Sequence, residues 1–129
     1  VYLTSTAGKD PLKRKNRLWI NQGVNDKDAP VFIEMAEQYG IADTSQSVAA
    51  AFFDYDLDGR IDLYVLNNTV NSRMNTSYRP KIVDGSAVNN DRLYHNNGNG
   101  TFTDVTRQAG IVYEGFGLGL AVGDVNKDG

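Results

Sequence analysis

Short runs of β-branched and aromatic residues, separated by clusters of Gly, Asn and Asp, set the rhythm of this chain. Residues 48–53, 61–66, 92–96 and 101–106 read as four strands joined by tight turns. The turn before the last of them, Asn97-Gly98-Asn99-Gly100, contains Asn-Gly, the strongest short hairpin signal, because both residues accept positive φ. Residues 104–110 are compatible with a single helical turn closed by Gly110.

The pattern recurs. Residues 32–41 match residues 102–111 at an offset of 70, and the same offset carries 52–59 onto 122–129. Residues 16–23 match 91–98 at an offset of 75, so the hairpin turn that follows differs in length between the copies. A shorter match relates residues 1–5 to 63–67. The expectation is two repeats, about 1–62 and 63–129, cut from a longer array. Four antiparallel strands per repeat is the pattern of a propeller blade, so the fold class expected is all-β.

Two loops join the second and third strands of each copy. Residues 6–16 carry Lys9, Lys13, Arg14 and Lys15, and residues 68–90 carry Arg73, Arg79 and Lys81. Both loops are expected on one face, as solvated loops in the first reading and as a partner-binding surface in the second.

The stretch Asp54-Tyr55-Asp56-Leu57-Asp58-Gly59-Arg60-Ile61-Asp62 carries the chemistry. Asp54, Asp56, Asp58 and Asp62 occupy positions 1, 3, 5 and 9, with Gly59 at position 6. Four carboxylates so close together repel one another unless a cation neutralises them. All donors are oxygens, so a hard ion is expected, and calcium suits an all-protein oxygen cage better than magnesium. The main-chain carbonyl of Arg60, at position 7, is placed to add a further oxygen. An EF-hand is rejected, since it needs Glu at position 12, where Val65 stands, and helices on both sides. Asp124, Asn126 and Asp128 recur at positions 1, 3 and 5 of the next copy, before Gly129.

Composition narrows the field. The 129 residues carry a formal net charge of −3, which does not suggest nucleic acid or an anionic membrane. No apolar run approaches the ~20 residues that span a bilayer. There is no cysteine, which excludes disulfides, thiol catalysis and Cys-ligated zinc. Val1 opens strand-like sequence without the features of a signal peptide, so an export signal is expected on a longer parent chain.

The acidic loop 54–62, the run 91–106 and the glycine-rich stretch 115–124 together resemble the FG-GAP or VCBS repeat, in particular the bacterial type associated with ASPIC/UnbV modules. The resemblance implies a propeller with calcium in a loop between two strands of a blade. It implies a secreted or cell-surface location, such as the exterior of a bacterial outer membrane. A role in adhesion, ligand binding or scaffolding follows from it, with a protein or glycan ligand and the rest of the parent propeller as partners. By the same resemblance the calcium ligands are Asp54, Asp56, Asp58, the Arg60 main chain and Asp62, then Asp124, Asn126 and Asp128. The Phe116-Gly117 pair is replaced by Gln46-Ser47 in the earlier copy, a departure from the pattern.

Catalysis is not expected. His95 is the sole histidine, and its counterpart is Ile20, which favours a structural or surface role. Residues 115–119 lack the dinucleotide-binding fingerprint and suggest close backbone approach in a packed strand instead. Trp19, Tyr64 and Tyr94 read as core aromatics rather than a sugar platform. The alternative is part of a calcium-dependent, lyase-like propeller enzyme acting on polysaccharides, with Lys13, Arg14 and Arg79 as its loose basic candidates.

Overall fold

A computed structural model describes residues 1–8, 10–69 and 79–125. It is mostly strand. β1 (Tyr2–Leu3), β2 (Arg17–Val24) and β3 (Pro30–Glu34) form one antiparallel sheet. After α1 (Ala36–Tyr39) come β4 (Gln46–Phe53), β5 (Asp62–Asn68), β6 (Arg92–Asn96) and β7 (Phe102–Asp104), an antiparallel meander in that order. The predicted strands 48–53, 61–66, 92–96 and 101–106 therefore fall on β4 to β7.

The two copies agree bond for bond. Tyr2 pairs with Leu18 as Tyr64 pairs with Leu93, and Trp19 pairs with Glu34 as Tyr94 pairs with Asp104. Past the last strand, the Met35 amide donates to the Leu18 carbonyl at 2.8 Å and the Val105 amide to the Leu93 carbonyl at 2.9 Å. The turn that follows closes in both copies, with the Gly40 amide donating to the Glu37 carbonyl and the Gly110 amide to the Arg107 carbonyl, each at 3.1 Å. Gly40 and Gly110 take φ of 77° and 75°, the left-handed conformation that ends such a turn.

Burial follows the alternation of strands. Leu63 and Val65 point from β5 toward the first sheet, and neither exposes any surface. With Leu18, Ala36, Ile41 and Tyr94 they form a core between the two sheets. Each such aliphatic side chain contributes about 1.5–3 kcal/mol by leaving water. Trp19 and Tyr64 are half-buried, and the Tyr64 hydroxyl donates to Asp91 at 2.8 Å.

The sheets are also joined through the backbone. The Ser47 amide donates to the Ser5 carbonyl at 3.2 Å, and the Gly117 amide to the Asn67 carbonyl at 3.3 Å. These are the same bond in successive copies. Ser5 and Asn67 are each braced by a side chain, their amides donating to Asn16 Oδ1 at 2.9 Å and Asp91 Oδ1 at 2.8 Å.

Residues 115–124 correspond to β4 by the repeat, yet they form no strand. A strand must exchange a ladder of hydrogen bonds with a neighbour. β4 has β5 beside it, whereas no described strand runs alongside 115–124 in the same way. The expected close approach does hold at Gly117, which lies directly over Leu66.

Candidate metal centre

The loop 54–61 leaves β4 at Phe53 and returns at Asp62, the first residue of β5. Strands flank it on both sides, in keeping with the rejection of an EF-hand. Two residues bend it: Leu57 at φ 62° and Gly59 at φ 85°. Positive φ is strained for leucine and free for glycine.

The backbone orients the carboxylates. The Asp58 amide donates to Asp54 Oδ1 at 3.1 Å, and the Gly59 amide to Asp54 Oδ2 at 2.8 Å. The Arg60 amide donates to Asp58 Oδ1 at 2.8 Å. Asp54, Asp56 and Asp58 each offer an oxygen, and these oxygens lie within 4.8 Å of one another. The Arg60 guanidinium pairs with Asp58 and reaches the Asn96 carbonyl through Nε at 2.8 Å. It cancels one of the loop's charges and ties the loop to the β6–β7 hairpin.

Asp62 differs from the other three because it is fully buried. Its Oδ2 accepts from the Tyr55 amide at 3.1 Å and its Oδ1 from the Asn96 amide at 2.7 Å. It thus anchors both the start of the loop and the end of β6. Tyr55 packs edge-on against His95, and its phenol is pushed up, first by loss of hydration and then by Asp56, Asp62 and Asp58.

Sequence reasoning gave His95 a structural or surface role and did not place it at this loop. The pairing of Leu63 with Tyr94 brings His95 beside Asp62 and the mouth of the loop. His95 Nδ1 is 3.4 Å from Asp56 Oδ2 and 3.4 Å from Asp62 Oδ1, and Nε2 is 3.8 Å from Asp58 Oδ2. Nδ1 is buried without a hydrogen-bond partner. The sign was available in the strand register, since extending the β5–β6 pairing by one residue sets position 62 against 95.

The residues present fit a divalent cation: oxygens converge, backbone amides aim them, and the buried Nδ1 atom is left unbonded beside them. Arg60 lies in this loop with its side chain on Asp58 and the Asn96 carbonyl. Asp124 is exposed in the second copy, while Asn126 and Asp128 lie outside the described residues. So do Lys9, Arg73 and the other residues of 70–78. Two of the three loose basic candidates have side-chain partners. Arg14 donates to the carbonyls of Thr44 and Gly8, and Arg79 grips Glu114 through two bonds of 2.9 and 2.7 Å.

Comparison with known proteins agrees with the second copy. Residues 82–129 match the family described as the FG-GAP-like repeat, so the chain carries an FG-GAP-like repeat. No curated protein and no solved structure matches the chain. The match takes in β6, β7 and Asp124, and the bond-for-bond agreement between copies extends the same architecture back through β2 and β3. Among the described residues no helix is long and apolar enough to cross a membrane.

Proposed function

We propose that this chain is a calcium-binding segment of a β-propeller, non-catalytic, working outside the cell or on its surface in adhesion, ligand binding or scaffolding. The observation that carries the reading is the convergence of Asp54, Asp56 and Asp58 in a loop that joins paired strands. FG-GAP-like repeats support the calcium and the extracellular setting, and the four-stranded meander supports a blade. The bacterial, ASPIC/UnbV-associated type belongs to the same proposal.

Asp54, Asp56 and Asp58 would hold the ion, with Asp62 and the Arg60 carbonyl closing the shell, and Asp124, Asn126 and Asp128 serving the next copy. Bound calcium supplies charge neutralisation, which lets the loop carboxylates sit together. A cation that binds the folded loop and not the unfolded chain raises stability by mass action, by about 2.7 kcal/mol at a hundred times Kd. Thermal unfolding in millimolar calcium and in chelator tests this. The melting temperature rises with calcium in the wild type and does not in Asp56→Ala. Equal melting temperatures for the wild type in the two buffers overturn the proposal.

A further inference from the structure

The loop also presents a second, overlapping donor set, which adds a nitrogen that calcium chemistry does not use. His95 Nδ1, Asp56 and Asp62 offer atoms within 4.8 Å of one another. Both distances from Nδ1 to the carboxylates are 3.4 Å. Donors about 2.1 Å from a tetrahedral ion stand roughly 3.4 Å apart. The set therefore needs little rearrangement around His95 to close on a small ion.

We infer that His95, Asp56 and Asp62 form a site for a borderline divalent ion of the zinc class, overlapping the calcium site through Asp56 and Asp62. Imidazole nitrogen is a poor donor for calcium and a good one for zinc. Three protein ligands leave a fourth position for water. Asp62 is pre-set for the role, because two backbone amides already fix its carboxylate. Tyr55 holds the ring edge-on, with centroids 6.1 Å apart. When Nδ1 binds the ion, the ring proton resides on Nε2, which faces Asp58 Oδ2 at 3.8 Å. Closing that 3.8 Å gap to hydrogen-bond length would give the metal-bound histidine its usual carboxylate partner. Arg60 Nη2, 3.4 Å from Nε2, can donate to it only while the ring proton is on Nδ1, so ion binding gives up that contact and Arg60 keeps its pairing with Asp58. The inference rests on the same loop as the calcium reading but on a different donor.

Because His95 is the sole histidine, its ring nitrogens give unambiguous long-range proton–nitrogen spectra. Zinc chloride is titrated into the full chain while these signals are followed, and zinc and calcium affinities are measured calorimetrically for the wild type and His95→Gln. The expected result is a large shift of the Nδ1 signal on zinc addition and a loss of zinc affinity of at least about tenfold in His95→Gln. Calcium affinity should stay within about twofold, since nitrogen adds little to a hard ion. Absence of zinc binding, an unmoved Nδ1 signal, or equal zinc affinity in the two proteins overturns the inference and leaves the calcium proposal standing. Failure of both proteins to bind calcium defeats the calcium proposal alone, and the zinc data still decide this one. The wild-type ring signals settle the matter even if His95→Gln folds poorly.

Discussion

Gly117 lies so close to Leu66 that a Cβ built on it would stand 2.4 Å from Leu66 Cγ. The obstruction is the branch point of a buried side chain, which cannot swing aside as a flexible tip would. Gly117→Ala should therefore destabilise the protein by about 1–3 kcal/mol, the usual range for overpacking. Urea unfolding of Gly117→Ala, Leu66→Ala and the double variant checks this. The double variant should be more stable than the sum of the single effects, because trimming Leu66 makes room for the new methyl group.

Asp62→Asn should destabilise the chain even in chelator. An amide has one carbonyl oxygen where the carboxylate has two, so the Tyr55 or the Asn96 amide loses its acceptor. Leaving a buried donor unpaired costs about 1–3 kcal/mol. Chemical denaturation in chelator measures it, and a loss seen only with calcium present would refute this structural role for Asp62.

The matched glycines Gly40 and Gly110 should respond unequally. Both have positive φ, so alanine at either is strained by about 1–2 kcal/mol. At Gly40 the new Cβ would also meet the Phe102 carbonyl oxygen at 3.1 Å, whereas at Gly110 nothing lies within 4 Å. Gly40→Ala should lower the melting temperature more than Gly110→Ala, as thermal scans of the two variants side by side will show.

Glu114 provides an acid-sensitive clasp. Hydrogen bonds from Arg79 hold its carboxyl below the usual value of 4.5. A depressed folded value stabilises the protein fully above the unfolded value and progressively less as pH falls through the folded one. Stability should thus fall from about pH 4.5 downward, and Glu114→Gln should flatten that part of the profile. Melting temperatures between pH 3 and 7 provide the comparison, and identical slopes in the two proteins would dismiss the clasp.

Much of the fold was written locally in the sequence. The alternation in residues 61–66 and the Asn-Gly turn at 97–98 located β5 and the β6–β7 hairpin, because strand period and turn conformation depend on adjacent residues. The acidic spacing located the loop for the same reason. What escaped was set by neighbours in space. Residues 115–124 read as a strand by repetition, but a strand also needs a pairing partner. His95 read as a surface or structural position, since its counterpart Ile20 carries no chemistry and only pairing across β5 and β6 reveals the carboxylates. Asn16, buried and hydrogen-bonded to the Ser5 amide and to Ser47, gave no signal, because an asparagine in a basic loop reads as solvent-facing.

The joint between successive units, Ser47 to Ser5 and then Gly117 to Asn67, is made by main-chain atoms. Such a seam takes its hydrogen bond from the backbone, so the donor can be serine in one unit and glycine in the next, and the acceptor serine or asparagine, while the bond itself is kept. Evolution is then free to redecorate the loops of one unit without disturbing the next. Kinship among such units will survive in their geometry after it has faded from their spelling.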